Sequence, residues 1–345
     1  MIRFLSLAAA LVLAACAEPA VEPPAPSNPH VVQYVGTEGP GLGKHIVFLA
    51  GDHEYRSEEI LPAWARLVAH HYGFTSTVFF TLDEEGFIEP GSSRIQGLDS
   101  LRTADLVVMG LRFQDFPVEE MQHFVDYIDR SGPVIGIRTS THAFSIEEGP
   151  HLRYTWNYEG DEYPLGFGRQ VLGETWAGHY GTNHEQSSRL LVNPDESDHP
   201  ILRGVTGGHV VSGGYEADPE PPYTVLMRGQ VLDGMTAEGE PDPVKKLMPV
   251  AWTRSHGESG RVFTTTHGAS EDFLDEGFRR LMVNATLWAA GLEEAISADG
   301  PIELVGPYNP TEFSFDGYRL GVRPSDMAGW ESPIMNPERP TSLDQ

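Results

Sequence analysis

Three histidines stand in short polar stretches, each directly behind an apolar run. His53 lies in Gly51-Asp52-His53-Glu54-Tyr55-Arg56, His142 ends Arg138-Thr139-Ser140-Thr141-His142, and His267 lies in Thr266-His267-Gly268, shortly before Glu271 and Asp272. Imidazole is the usual general base near neutral pH and the commonest metal ligand. Asp52 could assist as a carboxylate, and Arg138 could clamp an anion or a carbonyl. The expected catalytic set is therefore His53, His142, His267, Arg138 and Asp52. Glu54, Thr139 and Ser140 are expected to meet substrate. The alternative for each histidine alone is a loop cap or a donor to a backbone carbonyl.

A second group lies in Trp176-Ala177-Gly178-His179-Tyr180-Gly181-Thr182-Asn183-His184. His179 and His184 are five apart, so they do not form the i,i+4 pair of a zinc-binding helix. With His142 they could still hold a divalent metal such as zinc, and polar packing within a loop stays equally open. Trp156, Tyr158, Trp176, Tyr180 and Tyr215 could stack on sugar rings, with Trp176 and Tyr180 the expected contacts; ordinary packing would use the same residues. Ser140 stands where a strand-to-helix elbow would expose a nucleophile, but its surroundings lack the Gly-x-Ser-x-Gly spacing.

These residues need a frame. Ile46–Ala50, Thr77–Phe80, Asp105–Met109 and Val134–Ile137 are short apolar runs of the kind buried on both faces of a parallel sheet. Between them lie helical patterns. One carries Ile60, Trp64, Leu67, Val68 and His71 on one face, with its first turn expected near Leu61 because of Pro62, and ends at Gly73. Another opens at Pro117, turns Met121, Phe124, Val125 and Ile128 inward and closes at Gly132. Further strands are expected at Tyr223–Met227, Met248–Trp252 and Arg261–Thr265, then a helix with Phe278, Leu281, Met282, Ala285 and Trp288 on one stripe that stops at Gly291. Residues 150–220 promise loops. The alternation predicts an α/β fold, a mostly parallel central sheet with helices on both faces. In such sheets ligands bind outside the carboxyl ends of the strands, which is where His53, His142 and His267 are expected to converge.

The chain has 345 residues and a formal charge of −27. That excess of acid argues against nucleic acid as a partner, since phosphate contacts need Lys and Arg. Residues 1–15 pair Arg3 with an apolar run, Phe4 to Leu13, which fits a secretory signal and is too short for a bilayer-spanning helix. Leu13-Ala14-Ala15-Cys16 resembles a bacterial lipoprotein box, which implies a lipidated Cys16, a membrane tether and export to the periplasm or cell exterior. Cys16 is the only cysteine, so no thiol remains for catalysis or an internal disulfide. Residues 16–43 are expected to be a Pro/Gly-rich tether, residues 44–292 the α/β domain, and residues 293–345 a Pro-rich extension, packed on the domain or partly disordered.

Several segments together resemble the ThuA-like (trehalose utilisation) family: Lys44-His45-Ile46-Val47-Phe48-Leu49-Ala50-Gly51-Asp52-His53-Glu54-Tyr55, Pro133 through Phe144, His199-Pro200-Ile201 with Gly204, and Gly260-Arg261-Val262-Phe263 through Thr266-His267-Gly268 to Trp288-Ala289-Ala290-Gly291. The resemblance implies a flavodoxin-like sandwich similar to class I glutamine amidotransferases. There a cysteine occupies the elbow after the fourth strand; here Arg138-Thr139-Ser140 stands in that place, which excludes glutamine hydrolysis through a thiolate. Many members of the family carry a histidine directly after that strand, whereas this chain has Arg138 there and His142 four residues on. The resemblance also implies sugar metabolism, and hence a small carbohydrate ligand. The expected function is a lipid-anchored enzyme acting on a carbohydrate or oxidised sugar through histidine-based acid–base chemistry, with or without the assistance of a divalent metal. Alternatives are a non-catalytic sugar-binding lipoprotein and a serine hydrolase using Ser140.

Overall fold

The computed structural model describes residues 28–344. Cys16 and the signal segment lie outside the described residues. The strands in chain order are β1 (Val31–Val35), β2 (His45–Gly51), β3 (Thr75–Phe80), β4 (Leu106–Leu111), β5 (Val134–Ile137), β6 (His179–Tyr180), β7 (Gln186–Val192), β8 (Gly208–Val210), β9 (Gly214–Tyr215), β10 (Thr224–Asp233), β11 (Met248–His256) and β12 (Gly260–Thr265). The α-helices are α1 (Ser57–Tyr72), α2 (Val118–Asp129) and α3 (Glu276–Ala289).

Ten strands form one sheet in the order β1-β3-β2-β4-β5-β12-β11-β10-β7-β8. The block β3-β2-β4-β5-β12 is parallel throughout. Counted within that block, the order is 2-1-3-4-5, the flavodoxin-like arrangement. Its order reverses between β2 and β4, and a crevice opens at such a switch point beyond the carboxyl ends of the strands. Antiparallel strands extend the block on both sides, β1 beside β3 and the run β11-β10-β7-β8 beside β12.

The continuous apolar runs are explained by burial on both faces. Ile46 and Phe48 of β2 join α1 and α3 in one core, while Val47 and Leu49 join α2 in the other. Gly110 of β4 lets α1 lie close, since a Cβ there would fall 2.8 Å from the Ser57 Cβ.

Three expectations need correction. Strand β1 lies inside the segment expected to be a tether, and its pairing with β3 buries Val32 and Tyr34. The glycines around it serve close packing instead of looseness: a Cβ on Gly36 would sit 2.1 Å from the Ala69 carbonyl oxygen. Helix α1 begins at Ser57, a turn before Pro62, which lies buried within the helix. The middle of the chain is also less irregular than expected, because β7 and β8 join the main sheet there.

The C-terminal extension packs back on the domain. Ile302, Phe313, Val322, Met327, Ile334 and Met335 are buried. Arg66 of α1 holds it from below, its Nη1 donating to the carbonyls of Val305, Trp330 and Ser332 and its Nη2 to that of Met327.

Candidate active site

The loop after β2 is fixed by Asp52. Its Oδ1 accepts from the backbone N–H of Glu54 (2.9 Å) and Tyr55 (3.3 Å), and its Oδ2 accepts from the Thr139 hydroxyl (2.6 Å). Asp52 therefore ties this loop to the turn after β5, and it lines no cavity described below. Its neighbour Glu54 turns to the crevice. Burial raises the Glu54 carboxyl above its ordinary pKa, and the Asp52 charge adds to the effect.

The loop after β4 supplies Arg112 and Phe113. Gln114 locks it by donating from Nε2 to the carbonyls of Gly51 (2.7 Å) and Pro90 (2.9 Å). The Arg112 guanidinium lies between two rings, 4.6 Å from the centre of Phe113 and 4.9 Å from that of Phe315. Its Nε is 3.5 Å from a Glu54 oxygen, and its Nη1 donates to His53 Nε2 at 2.6 Å.

The turn over Arg138–His142 is the elbow after β5. Arg138 has a φ of 48°, the left-handed backbone of a sharp strand-to-turn junction. Its side chain points inward, where its Nη1 donates to the carbonyls of Gly213 (2.6 Å) and Thr266 (2.8 Å). The guanidinium stacks 3.5 Å from the Tyr55 ring centre and 4.9 Å from that of Tyr215. Four residues later, His142 reaches the crevice. Phe113 (4.9 Å), Trp176 (5.6 Å) and Tyr215 (5.8 Å) surround its ring. Burial holds the His142 pKa well below the usual histidine value, and Arg112 and Arg138 push it the same way. His142 is thus neutral at pH 7. Its Nδ1 lies 3.2 Å from the Thr141 hydroxyl, and its Nε2 has no hydrogen-bond partner among the described residues.

These elements enclose a cavity of about 240 Å³ lined by Glu54, Arg112, Phe113, His142, Trp176, His179, Tyr215 and Phe315. A wider cavity of about 540 Å³ shares Glu54, His179 and Phe315 with it and continues past Asn183 and His184. His179 stacks flat on Tyr215, with ring planes 10° apart. The chemistry available is a neutral base at His142, a fixed cation at Arg112 and a carboxyl at Glu54, set among aromatic faces.

Only part of the expected set meets here. His142 lines the inner cavity, whereas His53 stands one layer back, behind Arg112. His267 is fully buried under β9, with Nδ1 3.2 Å from the Ser212 hydroxyl, which in turn donates to Asp272. Its role is in the core and not at the crevice. Arg138 and Asp52 brace loops from inside. Thr139 and Ser140 are buried. Ser140 Oγ donates to the Met109 carbonyl (2.7 Å) and accepts from Leu111 N–H (3.3 Å), so it is neither a substrate contact nor an available nucleophile. Tyr180 lies outside both cavities, its hydroxyl donating to the Lys246 carbonyl. The expected metal set also comes apart. His184 stacks on Phe313 and lies 3.3 Å from Glu312, and among the described residues no three His, Cys, Asp or Glu side chains are grouped to hold a metal ion.

The ThuA family, described as trehalose utilisation, matches residues 46–289. The chain belongs to this family. Among solved structures, a ThuA-like protein from Parabacteroides merdae is similar at 16% identity with a TM-score of 0.46, covering 79% of this chain and 96% of that one. A ThuA-like protein from Bacteroides uniformis is similar at 14% identity with a TM-score of 0.46, covering 73% and 93%. No curated protein matches the chain.

Sequence reasoning missed Arg112 and Phe113 in this ThuA-family chain. They follow a recognised strand, so the strand-end rule would have selected them, but their loop has no histidine to draw attention. Phe315 had no local signal, because only folding brings the extension to the crevice.

Proposed function

We propose that this ThuA-family protein is an enzyme acting on a carbohydrate or an oxidised sugar derivative by acid–base chemistry, and that it is not a glutaminase. One observation carries the reading: a neutral imidazole, a guanidinium and a carboxyl of raised pKa line one cavity walled by four aromatic rings. The aromatic faces suit the apolar faces of a sugar ring. His142 takes a proton from a substrate hydroxyl or carbon acid, Arg112 stabilises the oxyanion that forms, and the Glu54 carboxyl, whose pKa burial raises, is placed to exchange a proton with the substrate. The reading needs no metal.

The test is to follow aldoses, ketoses and glycosides by NMR with the wild-type protein and with His142→Gln. Product formation that His142→Gln abolishes, with sugar affinity retained in calorimetry, supports the enzyme. A wild type that binds a sugar and forms no product from any of them favours the second reading, a non-catalytic sugar-binding protein, for which the same aromatic walls would suffice.

Export and lipid anchoring belong to the same proposal and rest on Met1–Ala15 and Cys16. A clickable fatty acid should label the full chain in bacterial cells and fail to label Cys16→Ser.

A further inference from the structure

The C-terminal extension lies beyond the residues that match the family, yet it forms part of the crevice. We propose that Phe315 is a specificity-determining residue, the wall between an inner subsite that takes one sugar ring and an outer subsite that takes the second ring or aglycone of a glycoside. This rests on the carbohydrate reading above and adds how the substrate is selected.

The residues flanking Phe315 are fixed, and Phe315 is not covered. Thr311 N–H donates to Glu59 Oε2 at 2.6 Å, and the Ser314 carbonyl accepts from Arg56 Nη2 at 2.9 Å. Asp316 N–H donates to the His53 carbonyl at 2.7 Å. Phe313 packs against Tyr55 (5.1 Å) and His184 (4.5 Å). Each anchor except His184 belongs to the β2–α1 connection or the start of α1, the stretch that supplies Glu54. Between these anchors the Phe315 side chain is left 53% exposed. With the flanking backbone fixed and the ring already resting against Arg112 and His53, the half of Phe315 left in water offers a stacking face at small ordering cost.

Its position gives that face a use. Phe315 lines both cavities, and so do Glu54 and His179. On the inner side it covers the Arg112 guanidinium. On the outer side the cavity runs on past the Asn183 amide and the His184 ring, groups able to bond to or stack on a second ring. A monosaccharide in the inner cavity would touch only one edge of Phe315. A disaccharide would cross it and gain stacking there.

The test compares glucose and trehalose as probes by calorimetry, on the full chain and on Phe315→Ala and Phe315→Trp. The expected result is that Phe315→Ala weakens trehalose about tenfold and glucose less than twofold, while Phe315→Trp restores trehalose binding. Equal weakening of both probes, or no change in either, overturns the proposal and leaves the carbohydrate reading standing. A wild type that binds neither probe overturns the Phe315 proposal, whereas the carbohydrate reading falls only if the panel of aldoses, ketoses and glycosides also shows neither binding nor product. Unchanged thermal unfolding of Phe315→Ala shows that a loss of binding is not a loss of fold.

Discussion

Arg112 Nη1 lies 2.6 Å from His53 Nε2, so the imidazole accepts this bond and must be neutral. Burial favours that state by lowering the His53 pKa, against the pull of Asp52. Protonation in acid would set two cations against each other and release Arg112 from its place between Phe113 and Phe315. His53→Gln, which cannot take up a proton, should move the acid limb of the pH profile of kcat/KM to lower pH. His53→Ala should lower kcat/KM about tenfold, the cost of one hydrogen bond to a charged group. Steady-state kinetics from pH 4 to 8 check both; an unmoved acid limb in His53→Gln would show that His53 does not set it.

Ser140 should be inert. With both hydroxyl partners taken from the backbone of β4, it should give no adduct with a fluorophosphonate probe. Ser140→Ala should keep full activity and lose about 1 kcal/mol of stability. Mass spectrometry and thermal melts decide the matter.

Glu59 should make the protein sensitive to alkali. Burial raises its carboxyl to about 8, with the neighbouring Glu58 adding to the rise. A folded-state pKa above the unfolded one means that the native state holds the proton longer. The stabilisation is complete below the ordinary carboxylate range and is lost as pH rises through about 8. Glu59→Gln does not titrate. Relative to wild type, it should gain on the order of 2 kcal/mol in going from pH 6 to pH 9, measured by denaturant melts at both values. The buried histidines act in the other direction. His142 and His267 have lowered pKa values, so their contribution is present above the ordinary histidine value and is lost as pH falls through the lowered ones.

Arg66 should control docking of the extension. Its guanidinium is fully buried, its two Nη groups donate to carbonyl oxygens and to the Tyr34 hydroxyl without a carboxylate beside them, and its Nε has no partner among the described residues. Arg66→Met would strand four carbonyls and should cost about 3 kcal/mol. Limited proteolysis should then cut first between residues 303 and 340, and cutting elsewhere first would count against this role.

The parallel block was legible because burial on both faces leaves a mark in the sequence. Ile46-Val47-Phe48-Leu49 can be nothing but interior if alternate residues feed two cores, and Gly73 and Gly291 mark where helices must end. The strand-end rule then found the β2 and β5 loops, and with them Glu54 and His142. The edge of the fold was not legible. Val31–Val35 is short and set among Pro and Gly, and β7 and β8 lie in a stretch rich in turn formers, so their strand character comes from partners far along the chain.

Residue type and local spacing determined which loops could carry chemistry, because a strand end is a local event. Which side chain of each loop faces the crevice was decided by tertiary packing alone. Asp52 and Glu54 are two residues apart with like charge, yet Thr139 and the loop's own backbone N–H groups claim one while the cavity takes the other. His267 and His142 are the same residue behind similar strands, but β9 shuts one into the core, while the other, although buried beside Tyr215, still lines the cavity. Phe315 reaches Arg112 from 203 positions further along the chain. Such distinctions depend on which distant atoms fill the space beside each group, and that information exists only once the chain has closed on itself.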